Sequence, residues 1–258
     1  MNDFHIKWTD AKRIHKEQTD STNNDIRALA LEGAPEGTVV SADVQTAGKG
    51  RRGRNWESSS GSSLLFSLLL RPDMKPDAAP QITLLMAMAV TKAVCGLTGL
   101  DAMIKWPNDV VVNGKKICGI LTEMQLKGGA IDHIVVGTGI NMNQTSFSAE
   151  LKQSATSLLL EKGVLPDREE LLEKVMEAFG DYYGCFLQSK DLAGHMAEYN
   201  ERLVSLDKEV KVLDPKGEYT GISKGINEKG ELLVELQDGE VTAIYAGEVS
   251  VRGLYGYV

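Results

Sequence analysis

Residues 48–54 constrain the fold more than any other part of the chain, because they hold three glycines and four positive charges within seven residues. Glycine lets the backbone take a positive φ or come close to a ligand, and the interleaved guanidinium groups match phosphate and carboxylate oxygens. The stretch lies in a long loop, 45–62, between two predicted strands, 37–44 and 63–70. We therefore interpret it as a flexible cradle for an anion.

This loop is positively charged, whereas the whole chain carries a formal net charge of −8 at pH 7. A general nucleic-acid binder usually has a basic domain, so the acidic balance counts against that class. Two other interpretations stay open beside the cradle, namely a solvated basic loop and a contact surface for nucleic acid. We favour the cradle because it explains the glycines as well as the arginines.

The three glycines also match the G-x-G-x-x-G fingerprint of dinucleotide-binding proteins, and Asp73 follows about twenty residues later. That fingerprint requires a helix directly after the glycines. The next residues are Arg54-Asn55-Trp56-Glu57 and a serine–glycine run, which do not form such a helix, and no Walker A motif occurs in the sequence. The chain is therefore predicted to be neither a Rossmann nor a P-loop protein.

Composition places the chain in the ordinary globular class, with 42% hydrophobic and 25% charged residues. Cys95, Cys118 and Cys185 are odd in number and widely spaced, which suits a reducing cytosol and provides no pair for zinc or redox work. No run of eighteen apolar residues occurs, and residues 1–8 lack the apolar core of a signal peptide. We expect a cytoplasmic protein with no membrane partner.

The pattern of apolar residues and turns divides the chain into two parts of different texture. In the first, we predict strands at 37–44, 63–70, 102–106, 110–112, 116–125 and 131–137, and helices at 24–31, 82–97, 166–188 and 191–206. Asn113-Gly114 predicts a hairpin turn, and an irregular segment is expected to begin at Gly139. From Lys208 onward, short alternating segments between turns predict a small all-β barrel. The predicted domains are therefore 1–206 and 207–258.

A second basic motif, Lys105-Trp106-Pro107-Asn108-Asp109, lies at the end of a predicted strand. Lys105 offers a point charge for phosphate, and Asp109 offers an acceptor for an arginine or a metal-bound phosphate. Taken alone, the motif is better explained as a β-bend with a buried tryptophan. Only its combination with the other motifs favours a binding site.

Three further residues are suited to a ligand. Lys116 lies among apolar strand residues, so its amine must reach solvent or a buried anion. Gly119, in the same strand, would let a ligand or a second backbone come close. Gln45 directly precedes the cradle and can both donate and accept hydrogen bonds.

These motifs occur in an order that resembles the bacterial biotin–protein ligases. The resemblance rests on Asp20-Ser21-Thr22-Asn23, the 48–54 loop with Trp56, and the segments 105–109, 116–121 and 137–143. The stretch 221–252 resembles the small SH3-like domain of that family. The resemblance implies an α+β fold in which a mixed β-sheet catalytic domain with flanking helices, of the class II synthetase and biotin–lipoate ligase type, precedes a small SH3-like β-barrel.

Members of this family join biotin to ATP as biotinyl-5′-adenylate, release pyrophosphate, and then transfer the biotinyl group to one lysine of a carboxylase carrier domain. The resemblance therefore implies ATP and biotin as substrates, Mg²⁺ to shield the leaving pyrophosphate, and a biotin carboxyl carrier protein as partner. It implies catalytic roles for Lys116, Arg51 and Lys105. Of these, Lys116 and Arg51 would neutralise the meeting of two anions.

The resemblance also assigns binding residues along the chain. Contacts to biotin and its adenylate are implied for Ser21, Thr22, Asn23, Gln45, Lys49, Gly50, Arg51, Lys116 and Gly119, and contacts to the nucleotide for Arg54, Trp56, Asp109, Asn141 and Arg252. No residue is assigned as a direct metal ligand.

Two features depart from the pattern of the family. Lys49 stands where the loop often has arginine, and the two side chains are not equivalent in bidentate contacts. Some members carry a winged-helix DNA-binding domain of about sixty residues before the catalytic domain, whereas few residues precede Ser21 here. We therefore expect a ligase without repressor activity and without a nucleic-acid partner. The family includes monomers and dimers, so a homodimer stays open.

Two alternative functions are kept. A lipoate–protein ligase or octanoyltransferase would share the fold, but its motifs differ from the 48–54 loop. A nucleic-acid-binding module would use Arg51, Arg52 and Arg54 and would bind without ATP in a salt-sensitive way. The acidity of the chain and the lack of aromatic residues within the loop count against it.

Overall fold

The computed structural model describes residues 12–214, 217–246, 250–253 and 257–258. Its larger part contains seven strands and five helices among these residues. The strands are β1 (Arg13–Thr19), β2 (Val39–Gln45), β3 (Ser63–Leu70), β4 (Met103–Lys105), β5 (Asp109–Val112), β6 (Lys115–Lys127) and β7 (Ala130–Asn141). The helices are α1 (Thr22–Leu31), α2 (Ala79–Thr98), α3 (Leu158–Lys162), α4 (Arg168–Ser189) and α5 (Met196–Glu201).

The seven strands form one mixed sheet in the order β1-β2-β3-β7-β6-β5-β4. Strand β1 runs parallel to β2, and the other neighbours are antiparallel. All eight residues of β3 are buried, because neighbouring side chains point to opposite faces and both faces are covered. Thus Leu68 belongs to the main core with α2, whereas Leu69 packs with Ile26 of α1. The predicted α+β fold with a mixed sheet and flanking helices is confirmed.

Helix α2 lies in the main core and is apolar on nearly all sides. Pro80 occupies its first turn, and Gly99 ends it with a left-handed φ of 69°. By length and composition alone this region, Pro76–Thr98, is able to cross a membrane, with a mean hydropathy of 1.5. However, 78% of that window is buried inside the protein, as in the core helix of a globular fold, so the finding is weak evidence for a membrane span.

Two predicted elements differ from the structure in extent. The helix expected at 191–206 is only α5, because the backbone of Arg202 and Val204 hydrogen-bonds to Ile104 of β4 and cannot continue a helix. The irregular segment expected from Gly139 is instead the end of β7, where Gly139 and Asn141 pair with Leu65 and Ser63 of β3. Strand β1 and helix α3 were not predicted.

The second part of the chain is an antiparallel sheet of five strands in the order β11-β10-β9-β8-β12. Its strands are β8 (Glu209–Asp214), β9 (Gly217–Ile226), β10 (Leu232–Glu235), β11 (Val241–Ile244) and β12 (Ser250–Gly253). This confirms the all-β character predicted from Lys208 onward, although residues 215–216 of one predicted turn lie outside the described residues. The division at residues 206 and 207 stays a prediction.

The two sheets share one hydrophobic core. Val212 and Leu232 of the second sheet belong to the same buried cluster as Leu84 of α2. At the junction, the indole of Trp106 donates a hydrogen bond to the carbonyl of Gly230 at 3.0 Å. The buried tryptophan of the 105–109 motif therefore joins the second sheet to the end of strand β4.

Candidate active site

A small cavity of about 50 Å³ opens between the start of α1, the 48–54 loop and strands β6 and β7. It brings together ten residues proposed from sequence: Ser21, Thr22, Asn23, Gln45, Lys49, Gly50, Arg51, Trp56, Lys116 and Gly119. Six more line it that were not assigned as site residues: Asn108, Ile120, Leu121, Gly137, Thr138 and Gly139. Segments far apart in sequence thus meet at one place.

The first turn of α1 supplies the polar end of the cavity. Ser21, Thr22 and Asn23 are all buried. Both the backbone amide and the hydroxyl of Thr22 donate to Gln45 Oε1, at 2.7 and 3.0 Å. Because Oε1 accepts both bonds, the orientation of the Gln45 side chain is fixed, and its amide nitrogen lies beside Gly48.

A hydrogen-bond network fixes the side-chain amide of Asn23. Asn23 donates through Nδ2 to Glu123 Oε2 at 2.7 Å, and Arg27 donates to Glu123 Oε1 at 2.8 Å. The fully buried hydroxyl of Ser67 lies 2.6 Å from Asn23 Oδ1. Gly137 leaves room for this amide, since a Cβ there would lie 2.1 Å from Asn23 Oδ1.

A compact charged group adjoins the cavity at the start of β5 and β6. Lys116 Nζ lies 2.6 Å from Asp109 Oδ1, and the side chain of Asp109 is only 11% exposed. Burial alone would raise the pKa of Asp109, but Lys116 and Lys105, with hydrogen bonds from Lys116 and Tyr257, outweigh burial and hold that pKa below its usual value. Asp109 is therefore a charged carboxylate at neutral pH.

Lys105 faces the same carboxylate and is poorly hydrated. Loss of hydration lowers the pKa of Lys105 to about 8; the positive charges of Lys116, Arg252 and Arg51 act in the same direction, and Asp109 opposes them. The amine titrates close to neutral pH, which is a property of many functional sites. An anionic ligand that approached Lys105 would favour its charged form.

The 48–54 loop is ordered by contacts to both parts of the chain. Arg51 donates to Asn108 Oδ1 at 2.9 Å and to the carbonyl of Ala246 at 2.5 Å. Lys49 donates to Asn24 Oδ1 of α1 at 2.6 Å. Arg52 takes a positive φ of 57° within a short 3₁₀ turn, Arg51–Gly53. Arg51 and Lys49 are thus held by protein partners at the rim of the cavity rather than fully solvated.

The indole of Trp56 lies between this rim and the sheet. It lies on two glycines of adjacent strands: a Cβ on Gly139 would come within 2.6 Å of the ring, and one on Gly119 within 2.8 Å. Lys116 Nζ lies 5.5 Å from the ring centroid. The indole also borders a second cavity, of about 670 Å³, which shares Gln45 with the first. Trp56 therefore separates the two spaces.

Several proposed residues lie outside the lining of the first cavity. Arg54 and Arg252 have exposed side chains, and Arg252 acts on Lys105 only as a nearby charge. Asn141 is buried and donates to the carbonyl of Thr156 at 3.0 Å, while its Oδ1 has no partner among the described residues. Lys105 and Asp109 belong to the charged group around Lys116 and do not line the cavity themselves.

Sequence reasoning missed some members of the site. Asn108 lies within the 105–109 motif, so the sequence did offer a local signal for this residue. Ser67 lies in the apolar run 63–70, and Glu123 is one of several charged residues in β6, so neither had a local signal. Each reaches Asn23 from a distant segment, 44 and 100 residues away respectively.

Comparison with known sequences gives the family. The profile of the biotin/lipoate A/B protein ligase family matches residues 13–141, and that of the biotin protein ligase C-terminal domain matches residues 205–252. A biotin–[acetyl-CoA-carboxylase] ligase from Paracoccus denitrificans is 33% identical over 242 residues, which cover 92% of this chain and 99% of the relative. A bifunctional ligase/repressor from Bacillus spizizenii is 36% identical over 240 residues, 92% of this chain and 73% of the relative.

A solved structure agrees with these sequences. The biotin protein ligase from Aquifex aeolicus in complex with biotin and ATP superposes with a TM-score of 0.81 at 33% identity, covering 94% of this chain and 99% of that chain. The chain therefore belongs to the biotin/lipoate A/B protein ligase family. Its similarity to biotin–[acetyl-CoA-carboxylase] ligases makes it an enzyme of the ligase class, as the motifs predicted.

Proposed function

We propose that this ligase activates biotin with ATP, forming biotinyl-5′-adenylate and pyrophosphate, and then acylates one lysine of a biotin carboxyl carrier domain. The position of Lys116 carries the proposal. Its amine lies 2.6 Å from Asp109 in the buried charged group and also borders the cavity lined by Ser21 and Thr22. One cation is therefore within reach of a carboxylate in the cavity and of a phosphate beside Lys105.

In the first step, a carboxylate oxygen of biotin attacks the α-phosphorus of ATP, the bond to the β-phosphate breaks, and pyrophosphate leaves. Both reactants are anions, so their approach needs fixed positive charge. Lys116 and Arg51 supply it at the reacting atoms, and Lys105 borders the phosphates. No side-chain nucleophile is required in this step.

In the second step, the amine of the carrier lysine attacks the acyl carbon, and AMP leaves as the amine gives up a proton. The mixed anhydride between the steps is hydrolysed by water, so a loop that closes over it preserves the product. The contacts of Arg51 with Asn108 and Ala246 bring the loop against both sheets. They support a closing role for residues 48–54, with Lys49 and Gly50 in the lining.

The polar end of the cavity suits the ureido ring of biotin. Thr22 and Gln45 form a fixed donor–acceptor pair, and Ser21 and Asn23 add buried polar groups beside it. A ureido group has both N–H donors and a carbonyl acceptor, so it can use all of these groups. We assign this end to biotin, with Gly119 forming part of the floor.

The surface of Gly119 and Gly139 that Trp56 covers suits the nucleotide. The indole Nε1 and, on the same face of β7 as Gly139, Asn141 Oδ1 are buried without a hydrogen-bond partner among the described residues. Such atoms cost free energy until a ligand or solvent satisfies them. A nucleotide that displaced the indole would lie on Gly119 and Gly139 and would offer partners to these two atoms. Arg54 and Arg252 lie further out and would meet the phosphates through charge.

Magnesium is assigned to the substrate rather than to the protein. The described residues contain no cluster of three His, Cys, Asp or Glu side chains that could hold a metal ion, and both oxygens of Asp109 already accept from Lys116 and Tyr257. We propose that Mg²⁺ enters as MgATP and neutralises the phosphates of that substrate.

The remaining proposals concern partners and place. The elements between Arg13 and Glu201 all belong to the catalytic sheet and its helices, so these residues leave no unit for reading operator DNA, and we propose a ligase without repressor activity. Three free thiols support a reducing cytoplasm, without a membrane partner. We further propose a catalytic domain at 1–206 and an SH3-like domain at 207–258. A specific operator footprint by the purified chain would refute the proposal that this ligase has no repressor activity.

The test is incubation of the chain with biotin, MgATP and a biotin carboxyl carrier domain, followed by mass spectrometry of the carrier. We expect one added biotinyl group, which disappears when the target lysine is changed to arginine. Lipoate and octanoate are offered in parallel, because the family includes lipoate ligases. Adenylation of lipoate in preference to biotin would overturn the proposal.

A further inference from the structure

Tyr257 lies against the charged group, although the reaction described above makes no use of it. Its hydroxyl donates a hydrogen bond to Asp109 Oδ2, and its ring lies beneath Lys105, with Nζ 4.3 Å from the ring centroid. The family profile for the C-terminal domain ends at residue 252. Tyr257 is therefore a contact of this chain that the family match does not assign.

The neighbouring residue keeps Tyr257 in place. Val258 packs against the turn between β5 and β6, because a Cβ on Gly114 would lie 3.1 Å from Val258 Cγ2. It also lies close to the backbone of Gly253 at the end of β12. The ring of Tyr257 is thus supported from the hairpin that begins with Asp109.

The contact matters because Asp109 is shared. Asp109 Oδ1 accepts from Lys116 at 2.6 Å and from Asn108 Nδ2 at 3.1 Å, while Oδ2 accepts from Tyr257. Burial and the neighbouring carboxylate raise the pKa of Tyr257, so its hydroxyl keeps the proton that it donates. With both oxygens occupied, the carboxylate cannot turn Oδ2 toward Lys105.

We propose that Tyr257 is a positioning residue for the adenylation step, which anchors the Asp109 carboxylate on Lys116 and leaves Lys105 free for the phosphates of ATP. The inference rests on the proposed function. Without the hydroxyl, Asp109 rotates and pairs with both lysines, so that one carboxylate neutralises two cations. The site then attracts the triphosphate less strongly, whereas the biotin end is unaffected.

The test compares the full chain with Tyr257→Phe, which keeps the ring beneath Lys105 and removes only the hydroxyl. The matched control is Tyr219→Phe, a tyrosine of β9 whose neighbouring charge is Asp214 rather than Asp109. Loss of one hydrogen bond to a charged group predicts a rise of about tenfold in the KM for ATP. The KM for biotin and the melting temperature should stay at control values.

A second measurement needs no turnover. The pKa of Lys105, about 8 in the intact chain, is followed by NMR of the labelled lysine amine. The charges that face it are Asp109, Lys116, Arg252 and Arg51. In Tyr257→Phe the carboxylate moves toward Lys105, so the pKa of Lys105 should rise. In Tyr257→Ala the pKa of Lys105 should rise as well, because removal of the ring lets water hydrate the Lys105 amine.

Each outcome decides the inference. An unchanged KM for ATP in Tyr257→Phe overturns it, whether or not the pKa of Lys105 moves. An equal rise of both KM values with a lower melting temperature also overturns it, because the tyrosine would then be structural. If the intact chain made no adenylate, the proposed function would fail instead. An unchanged pKa of Lys105 in Tyr257→Phe would then reject the anchoring of Asp109, and a raised one would support it.

Discussion

Lys116→Ala should lower both the stability of the protein and the rate of adenylation. The two losses are expected to differ in size, which separates the structural role of Lys116 from its catalytic role. Lys116 is the cation that the proposed mechanism places between the biotin carboxylate and the α-phosphate. It is also the partner of Asp109, with side chains 26% and 11% exposed respectively. The substitution therefore removes a charge from the reaction and leaves a buried carboxylate with fewer partners.

The structural cost is the smaller of the two. Breaking a fully buried ion pair costs about 3–5 kcal/mol, but this pair is partly exposed, and Lys105, Asn108 and Tyr257 remain around Asp109. We expect a loss of about 1–2 kcal/mol in the free energy of unfolding, which lowers the melting temperature by about 2–8 °C. The protein stays folded at 25 °C.

The catalytic cost is larger. Removing one group that stabilises charge developing in a transition state lowers kcat by about 10²–10³-fold. This loss appears in the rate of pyrophosphate release, measured in a single turnover with biotin and MgATP. The adjacent Lys115 is exposed and serves as the matched control, because Lys115→Ala removes the same charge from the same strand. It should leave both the rate and the melting temperature unchanged.

The refuting result is specific. If Lys116→Ala formed adenylate at the rate of the Lys115→Ala control, Lys116 would have no part in the chemistry, whatever its effect on stability. If instead the variant unfolded below 25 °C, Asp109 would depend on Lys116 more than its other partners allow. Circular dichroism at the assay temperature distinguishes these cases.

Three further predictions follow from the same site. Glu123→Ala removes the acceptor of the Asn23 amide and should raise the KM for biotin about fivefold without changing that for ATP, whereas the exposed Glu177→Ala should change neither. Gly139→Ala puts a Cβ within 2.6 Å of the Trp56 ring, so the tryptophan emission should shift and ATP binding, measured by calorimetry, should weaken. Because the lowered pKa of Lys105 is about 8, its charge is lost between about pH 7 and 9, and the KM for ATP should rise there. Lys105→Arg, which stays charged, should abolish that rise.

The sequence predicted the elements whose signal is local. Strand β3 has the predicted bounds because an unbroken apolar run is typical of a strand covered on both faces. The Asn113-Gly114 turn adopts positive φ at both residues, 49° and 74°, which these two residue types permit at little cost. Strand β1 has only one apolar residue, Ile14, in Arg13–Thr19. Its position depends on hydrogen bonds to β2, which no local pattern encodes.

The same distinction applies to the candidate site. Residues within motifs, such as Lys116 and Trp56, stood out because glycine, charge and apolar neighbours occur together at short spacing. Their supporting partners did not, because Asn23 meets Glu123 across 100 residues and Asp109 meets Tyr257 across 148. A single sequence identifies groups that bind a ligand more readily than the groups that hold them in position.

The protein's own residues occupy much of the site, and this arrangement links the two substrates. A cavity of about 50 Å³ is well below the roughly 300 Å³ of the smallest usual ligand sites. The ring of Trp56 lies on Gly119 and Gly139, and Asp109 holds Lys116. Under the proposed function, the first substrate to bind must move the indole or draw Lys116 away. The second substrate then enters a site in which that free energy has already been spent. Reciprocal linkage requires each substrate to raise the affinity for the other by the same factor.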